Sequence, residues 1–149
     1  MPAPPPSLRT RALKALAQRE HSRQELQSKL QPFAEDPCEI GPLLDDLEKR
    51  GWLSEARFVE QLTTVRRRRF GAARILHELR EKGVSESALS AAQSQLTQSE
   101  VAAARCVWKK KFGSLPTTLE ERARQARFLA GRGFSAETVH AVLKKSCED

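Results

Sequence analysis

Two stretches fifty residues apart spell the same helix junction: Lys82-Gly83-Val84-Ser85 and Arg132-Gly133-Phe134-Ser135. In each, glycine closes one helix and serine opens the next. Upstream of each lies a basic helix with a leucine in matching register, Leu79 and Leu129. A more diverged copy runs from Ser22-Arg23-Gln24-Glu25-Leu26 to a helix ending at Arg50-Gly51-Trp52-Leu53. Units this short cannot bury an apolar face alone, so such self-similarity predicts stacked supersecondary units. Residues 1–7 are read as a disordered lead-in, 8–53 as the first unit, 54–97 as the second and 98–149 as the third. The expected fold is all-α: three tandem three-helix repeats in an elongated, curved array of the kind that binds extended partners. Helices of about 14 residues would carry such a row to roughly 60 Å.

Apolar spacing of three and four runs through the chain, with almost no strand-type alternation. Leu8, Ala12, Leu13 and Leu16 share a face, and Ser22 with Glu25 forms a capping box ahead of Leu26 and Leu30. Pro32 and Pro37 bracket a loop, after which Ile40, Leu43, Leu44 and Leu47 mark a helix stopped at Gly51. Phe58, Leu62 and Val65 line a long helix expected to end near Phe70-Gly71, and Ile75, Leu76 and Leu79 line the next. In the third unit Val101, Ala104, Trp108 and Phe112 share a face, and Ser135 caps a last helix with Val139, Val142 and Leu143 inward. Trp52 and Trp108 sit at apolar positions and are expected in the cores.

The net charge of +7 is uneven. Residues 1–54 carry eight basic and eight acidic groups, residues 55–82 eight against four, and residues 100–149 ten against six. The middle and C-terminal parts should therefore face an acidic partner, nucleic acid or an acidic protein surface. Cys38, Cys106 and Cys147 fit neither zinc spacing nor a disulfide framework, which suits a reducing cytoplasm. No stretch reaches the roughly 18 apolar residues of a membrane span, and the proline-rich start is unlike a signal peptide. His21, His77 and His140 lie on separate units without ligand spacing. No phosphate-cradling loop and no nucleophile–base set occurs, so neither an enzyme nor a cofactor or metal site is expected.

Three blocks in order resemble the RecX family of recombinase regulators. Leu16-Ala17-Gln18-Arg19-Glu20-His21-Ser22-Arg23-Gln24-Glu25-Leu26, with Lys29-Leu30, is similar to that family's opening signature. Leu53 to Phe58, then Arg66 to Arg69, Phe70-Gly71-Ala72-Ala73-Arg74-Ile75, Glu78-Leu79 and Lys82-Gly83-Val84, resemble its central segment. Arg127-Phe128-Leu129 with Arg132-Gly133-Phe134-Ser135 resembles its third repeat. Ala72 stands where the family usually has proline, and Ser54-Glu55 where it favours acidic residues; both replacements keep the local helix-start geometry. The resemblance implies a cytoplasmic, non-enzymatic binder of the RecA recombinase filament on DNA. It would lie in the filament groove and restrain growth, ATP hydrolysis and strand exchange. A monomer with weak direct DNA binding at most is expected.

The binding residues are sought among the cations. On the helical wheel Arg57, Arg67 and Arg68 point away from the buried face, while Arg69 points toward the core direction and must snorkel or sit where the helix ends. Arg74 lies opposite Ile75 and Leu79, with Glu78 free to pair with Arg74 or Lys82. Lys110 projects opposite Trp108, and Glu120 is expected to pair with Arg124, leaving Arg127 and Arg132 free. The competing reading is a general nucleic-acid-binding protein of helix-turn-helix type, although nine residues separate Ser22–Leu30 from Ile40 where such a motif has three or four.

Overall fold

In the computed structural model residues 3–144 are described, so Cys147 and the end of the third unit lie outside them. Among the described residues there are nine α-helices and no strand. They are α1 (Leu8–Gln18), α2 (Arg23–Leu30), α3 (Ile40–Lys49), α4 (Glu55–Arg66), α5 (Ala72–Glu81), α6 (Glu86–Gln98), α7 (Glu100–Lys111), α8 (Leu119–Gly131) and α9 (Ala136–Leu143). Ser7, Ser22, Ser54, Ser85, Thr118 and Ser135 each cap a helix through the side-chain oxygen, which accepts from the third helical N–H. Between α2 and α3 the chain makes two single 3-10 turns, each with a proline in its first turn, so no tight helix-turn-helix forms.

Each consecutive trio of helices closes on its own core. Ala12, Leu26, Leu30, Ile40, Leu44, Leu47 and Leu53 fill the first. Phe58, Ile75, Leu79, Leu89 and Leu96 centre the second, and Ala104, Val107, Leu129, Phe134 and Leu143 the third. Leu47, Leu79 and Leu129 are fully buried in equivalent settings. Each sits four residues before a glycine with φ near +80° to +95°, and its carbonyl accepts the N–H of the residue after that glycine. The copies differ in phase. The glycine turn follows the second helix in units two and three but the third helix in unit one, where Gly51 is the link to α4.

Three expectations fail at helix ends. Helix α4 stops at Arg66 rather than running to Phe70, and Val65 is 52% exposed instead of buried. Trp52 is 44% exposed beneath the Arg50 guanidinium, while its neighbour Leu53 enters the core. Trp108, by contrast, is half-buried and its Nε1–H donates to Gln125 Oε1 at 2.8 Å.

The units are joined in chain order, and among the described residues no hydrogen bond or ion pair links the first to the third. The first joint is polar. Arg57 donates to Glu20 Oε1 (2.9 Å) and Gly51 O (2.6 Å), Gln61 Oε1 accepts from Glu20 N–H, and Gln24 donates to Glu81 O. Glu25 meets both Arg19 (2.9 Å) and Lys82 (3.3 Å). Burial alone would raise the Glu25 carboxyl, but these cations and the Ser22 N–H outweigh it and hold it at about 2. His21 is fully buried beside it; Nδ1 faces Arg19 O and Nε2 faces the Lys29 ammonium. Burial first, then neighbouring cations, pull its pKa below 6.5, against the bond to Arg19 O, which raises it.

The second joint is a backbone crossing. Gly71 N–H donates to Arg132 O at 2.8 Å, and a Cβ on Gly71 would collide with the Gly133 carbonyl. A Cβ on Gly133 would stand 2.7 Å from Arg74 Cβ, at a φ of +95° that already favours glycine. Glu100, only 7% exposed, reaches across from α7: Oε1 accepts the Ala72 N–H (2.8 Å) and Oε2 the Thr138 hydroxyl (3.1 Å). A carboxylate from unit three thus satisfies an otherwise orphan donor at the start of α5.

Three measurements check this architecture. Small-angle scattering should give a radius of gyration well above the roughly 15 Å of a compact chain of this length; a value at that figure would contradict units in a row. Leu79→Ala and Leu129→Ala should each cost about 2–5 kcal/mol in denaturant unfolding, against under about 0.5 kcal/mol for exposed Gln27→Ala. Acid should destabilise the first joint in two steps. His21 and Glu25 both have lowered folded-state pKa values, so the unfolded chain binds more protons and stability falls with pH. Melting temperature should begin to drop below pH 6.5, with a steeper fall between 4.5 and 2; His21→Gln should abolish the first step.

Candidate functional site

The chain's four consecutive arginines are parted by the end of α4. Arg66 stays on the helix and makes a two-bonded pair with Glu78, at 2.8 and 3.0 Å, so Glu78 serves neither Arg74 nor Lys82. Arg67 turns inward, against the expectation of an exposed side chain. Its Nη2 donates to Leu96 O and to Ser99 Oγ (3.0 Å), while Nε and Nη1 are buried without a partner. There it closes the C-terminal turn of α6, where a cation suits the carbonyls of the helix end. Burial pushes its pKa down, opposed by nearby Glu100. Arg68 and Arg69 remain exposed, so Arg69 does not point to the core.

Arg57 is held by the first joint. Lys110 and Arg127 are exposed and have no carboxylate partner among the described residues. The expected Glu120–Arg124 pair does not form; instead the neighbouring Glu121 accepts from Thr117 N–H and hydroxyl, bonds that lower its pKa.

The glycine crossing brings the remaining cations together. Phe70, just before Gly71, lies under Arg74 at 4.3 Å, Arg132 at 5.5 Å and Arg69 at 5.7 Å. Arg132 also stands 5.0 Å from the Phe128 ring, which carries Lys111 at 5.5 Å and meets Phe112 edge-on. A continuous row results: Arg69 and Arg74, Phe70, Arg132, Phe128, Lys111. Cation–aromatic contacts hold these heads in place without neutralising them. No ion pair involves any of the four among the described residues, whereas Arg9, Arg19, Arg23 and Arg50 of unit one all have one. Of the residues singled out from the sequence, Arg74 and Arg132 meet here. Arg69, Lys111 and the two rings escape sequence reasoning, because a helical wheel carried past the true end of α4 misplaces Arg69. The motif residues Phe70 and Phe128 are the available signal.

This surface has the means to hold an anion. Among the described residues no group of His, Cys, Asp or Glu could cage a metal ion, and no helix is long and apolar enough to cross a membrane.

Residues 54–92 match the family profile described as RecX, second three-helix domain, and residues 98–143 match RecX, third three-helix domain. The chain belongs to the RecX family. The regulatory protein RecX of Leptothrix cholodnii is 50% identical over 93% of this chain and 88% of its own length. That of Ralstonia nicotianae is 44% identical over 97% and 91%. The crystal structure of RecX from Lactobacillus salivarius shares the fold, with a TM-score of 0.76 at 16% identity over 91% of each chain. A second, titled as regulatory protein RecX, has a TM-score of 0.74 at 19% identity over 91% of this chain and 70% of that one. Both paired glycines of the second joint lie inside the two matched RecX domains.

The two roles assigned to arginine separate in one experiment. Arg67→Ala should cost about 1–3 kcal/mol, since it strips the end of α6 of its partner. Arg74→Ala should stay within about 0.5 kcal/mol of the parent. Equal losses in thermal or denaturant unfolding would refute the inward placement of Arg67.

Proposed function

We propose that this chain regulates the bacterial RecA recombinase by binding the filament that RecA forms on DNA. On this reading it restrains filament growth, ATP hydrolysis and strand exchange in recombination, repair and the SOS response, within the cytoplasm. The relatives' shared description as regulatory proteins supports a role without chemistry of its own. The observation that carries the reading is the row of unpaired cations across the second joint. Four cationic heads held on two rings, with no ion pair among the described residues, form a preorganised electropositive stripe along a repeat array. The stripe suits a polyanionic groove, whether the anions are filament carboxylates or DNA phosphates. Regulation then follows from unequal affinity for filament states, because a ligand shifts an equilibrium only by that difference.

Arg69→Ala/Arg74→Ala/Lys111→Ala should leave helicity and melting nearly unchanged while weakening inhibition of RecA ATP hydrolysis on single-stranded DNA at least tenfold. If the stripe meets phosphates, the log–log salt dependence of binding should flatten by about 0.7–0.9 for every phosphate that is no longer neutralised. Full inhibition by a folded triple variant would remove the stripe as the binding surface and leave Arg68, Lys110 and Arg127 as the exposed cations to test next.

A further inference from the structure

Unit one is neutral in sum, yet not all of its cations are paired. Asp45, Asp46 and Glu48 pair with Arg9, Arg23 and Arg50. Glu20 and Glu25 are taken up by Arg57, Arg19 and Lys82 at the first joint. Arg11, Lys14 and Lys29 have no carboxylate partner among the described residues, and all three line one groove between α1 and α2. The groove encloses about 270 Å³ and has no acidic residue in its lining. Ala15, Leu26 and Leu30 form its floor, and Phe33 stands at its side with 53% of its surface exposed. The Arg11 guanidinium lies 3.7 Å over that ring, a stacking that leaves its in-plane N–H donors available to a carboxylate. The Lys29 ammonium is tethered at 3.2 Å to His21 Nε2.

We propose that this groove docks an acidic protein segment bearing one large apolar side chain. That side chain enters over Leu26 and Leu30 against Phe33, and carboxylates on either side of it meet Arg11, Lys14 and Lys29. Charge complementarity selects the occupant. Cations rim an apolar slot with room for one side chain, the pattern of an anchor residue flanked by acids. A nucleic-acid strand would need several ring faces for its successive bases, and the groove offers a single ring with Arg11 stacked on one face. The surface shares no residue with the Phe70–Phe128 row, so it is a second point of attachment and does not rest on the RecA reading.

Fluorescence anisotropy on the full chain tests this with three labelled probes. The first is a nine-residue peptide of alternating Asp and Glu around a central Phe; the second has Ala at the centre; the third is a nine-nucleotide oligothymidylate. The Phe peptide should bind at least tenfold tighter than the Ala peptide. Lys14→Glu and Phe33→Ser, both at exposed positions, should each weaken it about tenfold, while Arg105→Glu, at an exposed position away from the groove, leaves it unchanged. Circular dichroism melting confirms that the variants are folded. Equal binding of the two peptides, no binding of either, or indifference to Lys14→Glu and Phe33→Ser would overturn the proposal. So would oligothymidylate binding that exceeds peptide binding and falls with Lys14→Glu, which would make the groove a nucleic-acid site.

Discussion

The interaction on which the rest depends is the crossing of Gly71 and Gly133. Two backbones approach closely enough for a direct N–H to carbonyl bond only because neither carries a Cβ at that point. Once they meet, Phe70 is carried beside Arg132, and Arg74 is laid against Gly133. The electropositive stripe is therefore a product of how two units meet, and neither unit holds it alone. Glu100 secures the same crossing from the other side by accepting the first N–H of α5.

Charge is used in two distinct ways along the chain. In unit one and at its joint, arginine heads find carboxylates at 2.7–2.9 Å and hold helices together. Across the second joint, heads of the same chemistry rest on rings and stay unneutralised. Packing like charges side by side works against the fold unless an external anion relieves it. Natural chains tolerate such local conflict chiefly where a partner resolves it. Arg67 belongs to neither group; its charge is directed at carbonyl and hydroxyl oxygens at a helix end.

Much of this is legible in the letters. Serine caps, glycine stops and leucine spacing act locally, so they locate the helices and the buried Leu79 and Leu129 correctly. The family resemblance rests on the same local signals. The failures at Arg67, Arg69 and Trp52 share one physical origin, the point where a helix ends for tertiary reasons. Nothing within Arg66–Phe70 shows that Arg67 is drawn to the end of α6, about thirty residues on, and a wheel drawn past Arg66 sets Arg69 toward the core. Trp52 fails likewise, since the glycine turn hands the core position to Leu53. Net charge misleads in unit one, because a sum of zero conceals three cations gathered on one groove.

Glu100 also bears on how the units depend on one another. It belongs by sequence to the third unit, yet it completes the first turn of a helix in the second, and Arg67 of the second completes the end of α6 against Ser99 at the start of the third. Energetically the Glu100 cap and the Arg67–Ser99 bond are interface terms between nearest neighbours rather than properties of either module. Units two and three are thereby coupled into one cooperative element, with the glycine crossing as its seam. Unit one is joined differently, through side-chain ion pairs and hydrogen bonds gathered around Glu20 and Glu25 rather than through a backbone crossing.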